Sequence, residues 1–107
     1  MSTLLTSDEL ATALDQLPGV QRDGTQQLRI RVKASSFAEG IALLNRVAVV
    51  ADGLDHHPDI DVRYDTATYT LSTHSEGGVT ELDVELARQI LDLAADAGAE
   101  VTDASAP

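Results

Sequence analysis

Apolar and polar residues alternate without interruption from Gln27 to Lys33. Leu28, Ile30 and Val32 are interleaved with Arg29, Arg31 and Lys33, the period-two pattern of a half-buried strand. A shorter strand, Val20 to Arg22, precedes it across a turn at Asp23-Gly24. The alternation returns around Asp65-Thr66, where it predicts a β-hairpin. With the turn at those two residues, Ile60 faces Leu71, Val62 faces Tyr69 and Tyr64 faces Ala67 on the apolar side. Asp61 then faces Thr70, Asp59 faces Ser72 and His57 faces His74 on the other. A slip of one residue would mix the two sets.

Between these strands the period changes to that of a helix. Thr6-Ser7-Asp8-Glu9 is a capping box flanked by Leu5 and Leu10, followed by Leu14 and Leu17 and stopped at Pro18-Gly19. Ser36 to Glu39 opens a longer helix whose Phe37, Ile41, Leu44, Ala48 and Ala51 form one apolar stripe ending near Gly53. Ser75 to Gly78 reads as a flexible loop. Thr80 to Asp83 then caps a last helix with Leu82, Leu86, Ile90 and Leu93 on its inner face, ending by Gly98. The predicted order α-β-β-α-β-β-α, with hairpins rather than crossovers, gives an α+β fold: a four-stranded antiparallel sheet with helices packed on one face. The chain, 1–107, reads as a single domain with an ordered core over 6–98. Residues 1–5 are expected to fray and 100–107 to be disordered.

Composition narrows the function classes. The net charge of −11 with a single lysine, Lys33, argues against nucleic acid and against anionic membrane as partners. It fits solubility or adaptation to salt. There is no cysteine, so neither disulfide nor thiolate chemistry is available. No run approaches membrane-spanning length and the N-terminus lacks the layout of a signal peptide, so a cytoplasmic location is expected.

All three histidines, His56, His57 and His74, fall within the hairpin and its flanks, on the side expected to face away from the core. Imidazole exchanges protons near neutrality, with an unperturbed pKa of about 6.5. Histidines facing each other across a hairpin mouth suit acid–base work on one small molecule. Asp52 and Asp55 lie just upstream and could orient an imidazole or fix its tautomer. A single histidine is most often a surface or satisfied residue, and the pairing across the hairpin is what sets these apart. Three histidines and a carboxylate could also hold zinc or iron. Against that, adjacent His56 and His57 should point in different directions. No phosphate loop, nucleophile elbow or carboxylate dyad is present.

The stretch DHHPDIDVRY, followed by LSTH and then GGVTELD, resembles the signature of the pterin-4a-carbinolamine dehydratases, also called 4a-hydroxytetrahydrobiopterin dehydratases. The similarity extends upstream through Leu44-Asn45-Arg46-Val47-Ala48 and runs from about Thr6 to Leu93. It implies a lyase that converts 4a-hydroxytetrahydrobiopterin to quinonoid dihydropterin during tetrahydrobiopterin recycling, with neither metal nor organic cofactor. His56, His57 and His74 would be the catalytic histidines, His56 and His74 doing the acid–base work and His57 positioning the pterin. Asp52, Asp55, Pro58, Ser72, Thr73 and Asp83 would bind substrate or support the site. Ile60 and Val20 stand where the family often has aromatic residues. A homodimer or homotetramer is implied. The same fold also serves in non-catalytic binding modules, transcription coactivators and RuBisCO assembly factors among them. The intact histidine set favours catalysis over that alternative.

Overall fold

The structure, a computed structural model, describes residues 2–104. Its elements, in chain order, are α1 (Ser7–Leu14), β1 (Gln21–Asp23), β2 (Gln27–Lys33), α2 (Phe37–Leu54), β3 (Asp59–Arg63), β4 (Thr66–Leu71), α3 (Glu81–Asp96) and β5 (Glu100–Thr102). A single 3-10 turn, His74–Glu76, lies between β4 and α3.

The alternating stretch becomes the central strand. β2 turns Leu28, Ile30 and Val32 fully inward, and β4 beside it does the same with Ala67, Tyr69 and Leu71. The helices cover that inner face, contributing Leu10 from α1, Leu43, Val47 and Ala51 from α2, and Leu86, Ala87, Ile90 and Ala94 from α3. Burying side chains of this size removes about 1.5–3 kcal/mol each from the unfolded balance, so this layer holds the fold. Tyr69 is the one aromatic in it. Its hydroxyl finds no hydrogen-bond partner among the described residues, and burial pushes its pKa up to about 12.

The α+β architecture with helices on one face is as expected, but the sheet has five strands rather than four. β1 and β5 share one edge of β2: β1 pairs with Gln27 to Arg29 and β5 with Arg31 to Lys33. The expected disorder therefore fails for residues 100–104, while 105–107 lie outside the described residues. The signal was weak because β5 spans only Glu100–Thr102. It is fixed by tertiary contacts, with Gln21 Nε2 donating to Asp103 Oδ1 at 2.6 Å, Arg31 donating to Asp103 O and Ala104 buried. Gly19, at φ 91, leaves room for Val101, whose Cγ1 would sit 2.6 Å from any Cβ there. The N-terminal residues are also tied down, through a bridge between Leu4 and Thr80 and a bond from Leu5 N to Val79 O.

Two further expectations need correction. In the β3–β4 hairpin the turn is Tyr64-Asp65, with Tyr64 in the left-handed region at φ 56, and Ile60 faces Tyr69 while Val62 faces Ala67. Moving the turn by one residue shifts the pairing by two, which preserves which side chains point inward, so patterning could not separate the two registers. In α2 the inward stripe is Leu43, Val47 and Ala51, whereas Phe37 and Ile41 are 52% and 40% exposed. This helix is apolar on more than one side, and periodicity alone does not say which side meets the sheet.

Candidate active site

The end of α2 sets the first two histidines. Asp55 caps the helix in the left-handed conformation, φ 50, with its N–H on Ala51 O and Asp52 O, and His56 N–H also reaches Ala51 O at 3.0 Å. That reversal sends the neighbouring histidines to different environments. His56 is 9% exposed, while the His57 side chain keeps 58% of its surface. Pro58 then separates the pair from β3.

His56 meets the start of α3. Its Nε2 lies 2.5 Å from Oδ1 of Asp83, a carboxylate with no exposed surface. Oδ2 of the same carboxylate accepts from Thr80 N at 2.9 Å and from Thr73 Oγ1 at 2.8 Å. Asp83 is thus the N3 residue of the α3 capping box and the anchor of an imidazole at once. A hydroxyl has one hydrogen. Since Thr73 gives its hydrogen to Asp83, the 2.7 Å contact between Thr73 and Thr80 is donated by Thr80, whose oxygen accepts in turn from Leu82 N. An ionised carboxylate only accepts, so Nε2 of His56 is the donor to it, and Nδ1 makes no hydrogen bond to a described residue.

The network also gathers the other histidines. His56 and Thr73 share Asp83, and their chain neighbours are His57 and His74. His57 Nε2 lies 2.9 Å from Oδ1 of Asp52 on the last turn of α2, an exposed pair worth little to stability. His74 begins the 3-10 turn, is exposed, and makes no side-chain hydrogen bond or ion pair to a described residue. Ser72 turns its hydroxyl to Gln26 O at 2.8 Å and so braces the hairpin against the β1–β2 turn. Asp55 acts through its backbone rather than its carboxylate.

The histidines do not decorate the uncovered face of the sheet, as the patterning had suggested, and His57 is not paired with His74. They sit at the end of the sandwich, where the C-terminus of α2, the N-terminus of α3 and the mouth of the hairpin meet. Thr80 was read only as a helix cap. The capping box was the available signal, because a cap whose N3 acid is fully buried has a second partner to satisfy. Gly77-Gly78 is not simply loose: a Cβ at Gly78 would lie 2.7 Å from Thr25 O, so the close approach to the β1–β2 turn requires glycine. Among the described residues no cluster of three or more His, Asp or Glu side chains converges to hold a metal ion, and no helix is long and apolar enough to cross a membrane.

Comparison with known proteins identifies the family. A model of the family described as pterin 4 alpha carbinolamine dehydratase matches residues 3–93. A Nocardia farcinica protein provisionally named as such a dehydratase is 55% identical over 95 residues, 88% of this chain and 99% of its own length. One from Mycobacteroides abscessus, provisionally given the same name, is 49% identical over 81% of this chain and 92% of its own. Among solved structures, a transcriptional coactivator/pterin dehydratase from Brucella melitensis superposes with a TM-score of 0.82 at 38% identity, covering 86% of this chain and 99% of that one. A pterin dehydratase-like RuBisCO assembly factor of the α-carboxysome superposes at 0.57 with 24% identity over 70% of this chain and 86% of its own, a likeness of fold alone.

Proposed function

Because the chain belongs to the pterin 4 alpha carbinolamine dehydratase family, we propose that it dehydrates 4a-hydroxytetrahydrobiopterin to quinonoid dihydropterin, returning the pterin for reduction to tetrahydrobiopterin. The observation that carries this reading is the buried Asp83 carboxylate. It holds His56 in one tautomer and fastens the segment that bears His74.

Loss of water from C4a requires a proton on the departing oxygen and removal of a proton from a ring nitrogen, so that a carbon–nitrogen double bond forms as the C–O bond breaks. The base must be oriented before the substrate arrives, and His56, with Nε2 committed to Asp83 and Nδ1 open, answers that need. His74, exposed and without a protein partner among the described residues, delivers the proton to the leaving oxygen and re-equilibrates with solvent. His57, steadied by Asp52, holds the pterin. Thr73, Ser72, Pro58 and Asp55 keep these groups in place. The chemistry calls for neither metal nor organic cofactor.

The enzyme works as at least a homodimer in this reading. β3 is an edge strand on which every residue is exposed, and Ile60, Val62 and Tyr64 are 38%, 38% and 72% exposed. A long apolar edge of this kind invites pairing with another copy. Around a two-fold axis at Val62, Ile60 would face the second copy's Tyr64 and Asp61 its Arg63, a self-complementary arrangement.

The decisive experiment follows dehydration of 4a-hydroxytetrahydrobiopterin by the purified protein beside His74→Ala. Wild type should accelerate the reaction, and the variant should lose a factor of about 10² or more. No acceleration by wild type would turn the reading to a non-catalytic binding module, and a variant as fast as an active wild type would remove His74 from the chemistry.

A further inference from the structure

We infer that Leu5, Thr25 and Gly78, from three separate parts of the chain, form a backbone clamp that positions His74. The inference rests on the proposed role of His74 as proton donor. His74 is exposed and its ring makes no hydrogen bond or ion pair to a described residue, so the side chain does not fix where it stands. The backbone must do so. The turn that carries His74 is closed at its base: Gly77 N donates to Thr73 O at 3.0 Å, and Thr73 N donates to Gly78 O at 2.8 Å. A closed turn keeps its shape, but its place in the molecule depends on what its two limbs are fastened to.

Both limbs run to the same turn, the one between β1 and β2. On the incoming limb the Ser72 hydroxyl donates to Gln26 O at 2.8 Å, and on the outgoing limb Val79 N donates to Thr25 O at 3.0 Å. The N-terminal segment closes the other side. Leu5 N donates to Val79 O at 3.0 Å, and Leu4 pairs with Thr80. Val79 is thus bonded through both its N–H and its C=O, and its side chain is fully buried. Gly78 is where the three segments cross. A Cβ there would lie 2.7 Å from Thr25 O and 3.1 Å from Leu4 Cδ2, so any side chain would push the turn away from the loop. Leu4 stays 47% exposed, which makes it a cover over Gly78 more than a part of the core. The Asp83 network does not replace this clamp, because its bonds end at Thr73 and Thr80, on either side of residues 74 to 79. A reacting group displaced by about 1 Å can lose about 10²-fold in rate, so holding the loop governs proton delivery.

The test follows dehydration of 4a-hydroxytetrahydrobiopterin by the full chain carrying Gly78→Ala, and separately Leu5→Pro, which removes the N–H that meets Val79 O. Each should lower kcat by roughly tenfold with KM nearly unchanged, since His57 still holds the pterin. In a His74→Ala background the same changes should cost less than about twofold, because residues that act through His74 have nothing left to position. Ile30→Val, a core truncation on β2, should lower the melting temperature and leave kcat of the folded protein as it was. Should one clamp variant fail to fold, the other carries the comparison. The 1H–13C ring signals of the histidines give a readout independent of turnover: either clamp variant should move those of His74 more than those of His57. A wild type that does not dehydrate the pterin removes the dehydratase reading, and the ring signals then decide the clamp alone. Losses equally large with and without His74, or His74 signals that stay in place, overturn the clamp.

Discussion

Asp83 concentrates the local logic of the site in one side chain, because the carboxylate that caps α3 also fixes His56. Replacing it by Asn keeps the shape but exchanges one acceptor for an NH2 group, so a donor must face either His56 Nε2–H or the Thr73–Thr80 donors. We expect Asp83→Asn to cost about 1–3 kcal/mol in chemical denaturation, the usual range for a buried group left unsatisfied. It should also redistribute the His56 ring proton between its two nitrogens. 15N spectra reporting an unchanged Nε2–H tautomer would rule out the positioning role even if stability fell. Tyr69 gives a second prediction. Its pKa is raised from 10.0 to about 12, so the folded state holds its proton more tightly than the unfolded chain. The associated stability is intact below pH 10 and declines as pH rises from 10 towards 12, by about 2–3 kcal/mol at 1.36 kcal/mol per unit. Tyr69→Phe should flatten that alkaline decline and lose nothing at neutral pH, since the buried hydroxyl has no partner among the described residues. An equally steep decline in the variant would place its cause elsewhere.

At the scale of whole elements, the β3 edge makes the proposed homodimer testable by charge exchange. With the two-fold axis at Val62, Arg63→Asp sets Asp61 against a like charge twice per dimer and should weaken association, while Asp61→Arg together with Arg63→Asp should restore it. Sedimentation at several concentrations measures both. A double variant no better than the single would remove this register. The same strands mark how far the sequence could be read. Which residues point inward on β2 and β4, and which face of β3 is apolar, was legible, because the strand period is two and the alternation is clean. The hairpin register was not, because the shift that separates the two pairings preserves that period. α1 and α3 declared their starts through capping boxes whose reciprocal bonds both form. α2 concealed its inner face behind a second apolar stripe. The site was partly visible: the motif located the three histidines and the acids, but the burial of His56 depends on the left-handed cap at Asp55 and on Asp83, 27 residues away. No local pattern encodes that meeting.

For the molecule as a whole the main electrostatic fact is excess negative charge. Seven lysines and arginines cannot balance 18 acidic residues; among the described residues Arg46 pairs with Asp96, Arg63 with Asp61, and Arg88 with Glu85 and Asp92, all on the surface. Exposed pairs contribute about 0–1 kcal/mol each, so screening them costs little. The repulsion among the unmatched carboxylates acts over the whole surface and opposes the compact state. At 0.01 M ionic strength the screening length is about 30 Å, comparable with the 37 × 27 × 22 Å extents of the molecule, so most surface carboxylates feel one another. At 1 M it is about 3 Å and only near neighbours interact. The loss of repulsion therefore outweighs the loss of attraction, and the melting temperature should climb as sodium chloride is raised between those limits. Association through β3 should strengthen alongside, since two copies at −11 each repel before they touch. A melting temperature that fell with salt would mean that the few pairs matter more than the field, and that the acidity serves something other than a salt-tolerant surface.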